Sequence, residues 1–300
     1  MTQKEIERKS LIVSSITNLI ITGVGILVFL ATDIQALFLD CVFSLIGFIS
    51  SLVAVSISRN SKKRTKTYPN GLYFLEPLYA ILKSIFILVL LITSVIITSQ
   101  VAYAYFYNGT GKVMNIAPVL PYTISMVILC FGLSYYNSRQ NKKINNVSTI
   151  LLAESKSNFI DGLQSLGVGV AIALMYFVDI DSSLGFLYYT GDFFITTILV
   201  FFSLKEPIKV LVNSFKELSN GTTNDKEITN RICNVVNLHL NKCSSTLKCD
   251  IYKTGMHIKV CIIFNGKINN ETHKHCLQAR TEIIKELKSY YGSIDIMYSF

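Results

Sequence analysis

Five carboxylates and two lysines stand inside stretches that are otherwise apolar: Asp40, Glu76, Glu154, Asp161 and Asp192, with Lys83 and Lys156. A charge at the centre of a bilayer costs about 2.5–3.5 kcal/mol on insertion scales, so such residues face a bundle interior or a water cavity and mark ion or proton pathways. On a helix, positions i, i+4 and i+7 share a face. From Asp40 that face runs through Ser44, Gly47 and Ser51; in a later apolar run it collects Glu154, Ser157, Asn158, Asp161 and Ser165. The pattern suggests a cation site between the two runs, with Asp40 and Asp161 as anionic ligands and Ser44, Ser157 and Asn158 as neutral oxygen donors. Glu76 and Lys83 share a face of a third run. With Glu154, Lys156 and Asp192 they are candidates for charge coupling or gating. The competing account is internal ion pairing, in which Lys83 or Lys156 neutralises a carboxylate and stitches helices together. All four histidines, His239, His257, His273 and His275, lie beyond the apolar runs. Tetrahedral zinc sites take nitrogen or sulfur ligands, so an oxygen-rich site leans toward harder ions such as Mn²⁺ or Mg²⁺.

The elements that must hold these residues are six apolar runs, near 11–31, 35–57, 73–101, 117–136, 150–178 and 184–204. Each is long enough for a bilayer, which about 20 residues cross. The chain is 51% hydrophobic and 16% charged, which points to an α-helical membrane protein with six transmembrane helices. The first run lacks a clear small-x-small cleavage site and is expected to stay in the mature protein. The net charge of +9 does not indicate nucleic acid. Its cations sit before the first run (Lys4, Arg8, Lys9), between the second and third (Arg59, Lys62, Lys63, Arg64, Lys66) and between the fourth and fifth (Arg139, Lys142, Lys143). That is the positive-inside pattern, which places both termini in the cytoplasm and the basic loops against lipid headgroups. Tyrosines cluster at span ends, as in an interfacial belt. The seven cysteines form no CxxC and predict no disulfide framework.

Past Pro207 the composition becomes that of a soluble domain. "SNGTTND" reads as a linker able to cap the next helix. A helix over 225–241, a hairpin around Thr254-Gly255, a helix near 270–290 and a final strand "SIDIMYSF" predict an α-β-β-α-β, ferredoxin-like unit. The expected division is a transport domain over 1–210 and a cytoplasmic dimerisation or regulatory domain over 211–300. About 80 residues make a marginal core, so docking to a second copy is expected. No glycine-rich phosphate loop and no nucleophile with a base can be assembled, so the sequence does not read as an enzyme.

Three segments, in order, resemble the cation diffusion facilitator family of transporters: "DIQALFLDCVFSLIGFISSLVAV" its second span, "YPNGLYFLEPLYAILKS" the segment leading into its third, and "AESKSNFIDGLQSLGVGV" its fifth. Asp192 is similar to the aspartate opening its sixth span. The resemblance implies an exporter of a divalent metal (zinc, manganese, cobalt or iron type) working as a homodimer by proton antiport. Divalent cation and protons are then its small partners, with no tightly bound cofactor, in a bacterial inner membrane. Typical members place a His or Asp, then an Asp four residues later, in spans two and five. Here those positions are Phe43 and Gly47, then Ser157 and Asp161. Only Asp161 is kept, and Asp40 falls on an acidic position just ahead of the first pair, so the metal cannot be inherited from the family. In the tail, Cys261 and His273 or His275 fall near positions where members bind regulatory metal. The alternative is a membrane metal sensor or scaffold acting through its tail without transport.

Overall fold

A computed structural model describes residues 2–32, 35–110, 119–175, 185–223, 225–240, 247–264 and 270–299. Six long helices come first: α1 (Gln3–Thr32), α2 (Gln35–Asn60), α3 (Leu75–Asn108), α4 (Val119–Lys143), α5 (Thr149–Met175) and α6 (Leu187–Ser203). Pairs α1–α2 and α4–α5 pack most extensively, and α3 packs against α6. Two of the described helices are long and apolar enough to cross a membrane, α1 over Gln3–Val28 and α3 over Leu75–Asn108.

α1 is inverted relative to a helix of a water-soluble protein. Glu7, Ser10, Ser14, Asn18 and Thr22 are buried, while Ile12, Ile16, Leu19, Ile20 and Leu27 are exposed. Spacings of three and four place the polar set on one inward stripe, the reverse of the usual apolar-in pattern. Apolar solvent outside and hydrogen bonds inside satisfy this arrangement. Ser10 and Ser14 donate to Asn137 Oδ1 of α4 at 2.8 and 3.0 Å. Ser134 and Ser155 donate reciprocally to each other's carbonyls at 2.8 and 2.9 Å, joining α4 to α5. Leu199 of α6 fills the space above Gly167, where any larger side chain of α5 would collide.

The stretch around Pro207, past which the composition becomes that of a soluble domain, forms a helix of its own, α7 (Lys205–Leu218). Pro207 is no obstacle, because it sits in the first turn, where backbone N–H groups have no intrahelical partner. α7 crosses position 210 and packs along α3. Asp225 then caps α8 (Lys226–Leu240), accepting the N–H groups of Glu227 at 2.9 Å and Ile228 at 3.2 Å.

The remainder is β1 (Leu247–Thr254), β2 (His257–Phe264), α9 (Asn270–Tyr290) and β3 (Ile294–Ser299). β2 is central, antiparallel to β1 with Ile251 opposite Val260, and parallel to β3 with Val260 opposite Ile296. Ile228, Ile232, Val236 and Leu240 of α8 and Cys276, Ala279, Ile283 and Leu287 of α9 recur at helical spacing. They pack against Ile251, Ile258, Val260, Ile262 and Ile296. The same cluster continues into Leu11, Ala54, Tyr73, Ile144, Val147, Ile150 and Leu151 at one end of the helical bundle. The sheet domain therefore shares its core with the bundle.

Candidate cation site

α5 presents Glu154, Ser157, Asn158, Asp161 and Ser165 along one face, as the spacing predicts. Ser157, Asn158, Asp161, Gln164 and Ser165 line a cavity of about 440 Å³. Asn18 of α1, Gly47 and Ser50 of α2, Tyr79 and Lys83 of α3 and Cys130 of α4 supply the facing walls. Asp161 is exposed to this space, whereas Ser157 and Asn158 are buried. Asn158 is only 4% exposed, and its Nδ2 finds no hydrogen-bond partner among the described residues. A buried amide left short of a partner costs about 1–3 kcal/mol, and turning the amide over offers its carbonyl oxygen to the same spot. The donor set facing the cavity is carboxylate, amide and hydroxyl, the chemistry of an oxygen-rich cation site.

One turn before Asn158 the chemistry changes. Glu154 is fully buried and accepts hydrogen bonds from Lys83 Nζ and Tyr79 OH on Oε1. Ser51 Oγ donates to its Oε2 at 3.2 Å and receives Asn18 Nδ2 at 2.8 Å. Lys83 therefore pairs with Glu154 across α3 and α5. Glu76, on the same α3 face two turns earlier, accepts Lys4 Nζ at 2.6 Å and the backbone N–H of Met256 at 3.0 Å. Lys156 pairs with Glu206 of α7 at 2.9 Å, part-exposed.

The side chains of Asp40, Ser44 and Asp192 lie outside the described residues. Asp40 belongs to α2 seven residues before Gly47, two turns or about 10 Å of rise from where that helix lines the cavity. Among the described residues no three His, Cys, Asp or Glu side chains group closely enough to hold a metal ion. In the tail, Cys261 is half-buried on β2 opposite Asp250 and Met297. His273 and His275 belong to α9, with side chains outside the described residues. Burial, with Cys233 beside it, pushes the Cys249 thiol up to about 12, which removes it as a thiolate at neutral pH.

Sequence reasoning did not single out Asn18, Tyr79 or Gln164. Asn18 carried a signal, a lone amide in a long apolar run. Tyr79 carried none, since a tyrosine near a span end reads as an interfacial anchor.

Against known proteins, residues 11–219 match the family described as the cation efflux transmembrane domain. No significant match was found among curated proteins.

Proposed function

The chain belongs to the cation efflux family and is thus an integral membrane protein of metal cation efflux; from this premise we propose that it exports a divalent cation from the cytoplasm in exchange for protons. In this reading the six long helices span the membrane, both termini and the basic loops face the cytoplasm, and two copies associate. The observation that carries it is the cavity lined on α5 by Asp161 and by Asn158, whose Nδ2 has no hydrogen-bond partner among the described residues. Asp161 supplies the anion, Ser157 and Asn158 supply neutral oxygens, and Asp40 with Ser44 supply the second carboxylate and hydroxyl further along α2. Each carboxylate binds the cation when ionised and a proton once the cation has left. Alternation of access then follows from movement of one part of the bundle against another around this cavity. A donor set without imidazole favours Mn²⁺ or a comparably hard ion over tetrahedral zinc.

Purified protein reconstituted in vesicles containing a pH-sensitive dye should take up Mn²⁺ and move protons the opposite way. Asp161→Asn should abolish uptake without loss of folded protein, and Asp40→Asn should reduce it strongly. Uptake that survives Asp161→Asn would defeat the assignment. A protein that binds metal through its tail but moves none would instead be the membrane sensor.

A further inference from the structure

A second cavity, of about 310 Å³, lies at the junction between the helical bundle and the sheet domain. Its walls come from four separate parts of the chain: Thr2, Gln3 and Lys4 at the start of α1, Lys62 and Tyr73 in the α2–α3 connection, Met256 at the β1–β2 turn, and Lys288, Ser289, Gly292 and Ser293 at the end of α9 and beyond. Among the described residues three lysines line it and no carboxylate does. Lys4 is already committed, donating to Glu7 at 2.7 Å and Glu76 at 2.6 Å. Lys62 and Lys288 are exposed and have no ion-pair partner among the described residues. Two ammonium groups from separate parts of the chain line one concave space together with the hydroxyls of Thr2 and Ser293, which favours an anion with several acceptor oxygens.

We propose that this junction pocket binds a phosphate-bearing anion, which bridges Lys62 of the bundle to Lys288 of the tail. At about 30 Å³ per water, its volume accommodates a phosphate with a small substituent. Two sources share that chemistry, an anionic lipid headgroup and a soluble phosphate. Distance allows the first, because Gln3 lies eight residues before the apolar run opening at Leu11, about 12 Å along a helix. The site exists only when the tail is docked, so the ligand stabilises the docked state by mass action. This role is independent of which ion is carried.

The test uses the full chain in detergent, with thermal unfolding followed at fixed pH and matched ionic strength as inorganic phosphate or pyrophosphate is added. A second arm compares nanodiscs of phosphatidylcholine with nanodiscs containing phosphatidylglycerol. Lys62→Gln/Lys288→Gln is set beside a charge-matched control, Lys142→Gln/Lys143→Gln, elsewhere on the same face. The expected result is a saturable rise in the unfolding midpoint, with at least about tenfold weaker binding in the Lys62/Lys288 variant, or about 1.4 kcal/mol, and wild-type behaviour in the control. A response to soluble anions identifies a free phosphate ligand, and a response only to phosphatidylglycerol identifies a headgroup. No response in either arm, or an equal loss in the control, overturns the proposal.

Discussion

Glu154 gathers an ammonium, a phenol and a hydroxyl from two other helices, so an ion pair sits immediately beside the candidate cavity. Breaking a buried pair by removing one partner costs about 3–5 kcal/mol, because the survivor is left uncompensated, whereas replacing both can be nearly neutral. Lys83→Met alone should therefore lower the thermal stability of the purified protein sharply, and adding Glu154→Gln should restore most of it. Failure of the double variant to recover would show that the pair is not an isolated structural unit. Asp161 is exposed on the cavity wall rather than buried, so Asp161→Asn should cost far less stability than Lys83→Met while transport is lost. Stability and transport thus separate two carboxylates seven residues apart on one helix.

At the scale of elements, the β1–β2 turn is where the tail meets the bundle. Gly255 adopts a φ of 58°, and a Cβ there would come within 2.6 Å of Glu76 Oε2 and 2.8 Å of the Tyr73 carbonyl oxygen. The neighbouring Met256 N–H donates to Glu76. From α7, Glu217 accepts Lys253 Nζ at 2.7 Å and the Gly255 N–H at 3.1 Å. Gly255→Ala adds left-handed strain of about 1–2 kcal/mol to that collision, so it should undock the hairpin and speed protease cleavage within 219–225. His257 opens β2 beside this turn, stacked on Tyr73 with ring centroids 5.5 Å apart and its Nδ1 2.8 Å from Ser293 Oγ. Burial lowers its pKa below the ordinary 6.5, helped by Arg64 and Lys259 and opposed by Asp295. A histidine that ionises less readily folded than unfolded contributes its full stability above about 6.5 and loses it as pH falls from there toward the folded value. Stability should accordingly decline below pH 6.5 in wild type, and His257→Gln should flatten that decline. The α-β-β-α-β order and the hairpin at Thr254-Gly255 were legible because alternation and turn chemistry are local. α7 was not, since a proline among cations reads as a break. Neutralisation of a carboxylate by Lys83 was legible as the competing account, but its partner Glu154 and the Lys4–Glu76 pair were not, because residues 71 and 72 positions apart meet only through packing.

For the whole molecule, the sheet has helices on one face and carries Tyr252, Lys259, Cys261, Ile263 and Met297 on the other, Met297 being exposed. A second copy covering that face is consistent with the homodimer proposed above. Light scattering of the full chain in detergent should give twice the chain mass. In a cysteine-free background, single cysteines in the Arg59–Lys66 and Arg139–Lys143 loops should react with impermeant reagents only from the cytoplasmic side. A monomer, or labelling from outside, would contradict the assembly or the topology respectively.

Gln3 closes the structure onto a distant partner: its amide donates to the Tyr290 carbonyl at 2.6 Å and accepts the Gly292 N–H at 2.7 Å, 287 and 289 positions downstream. At about 5–20 residues per second of synthesis, that clasp stays open for roughly 15 to 60 s after Gln3 has been made. The helices must therefore settle in the bilayer while the surface formed by Tyr73, Ile144 and Val147 is still uncovered, and that surface is sealed only when β2, α9 and β3 arrive. The tail-facing end of the bundle is thus the last part of the structure to be covered, when the C-terminal segments pack onto it.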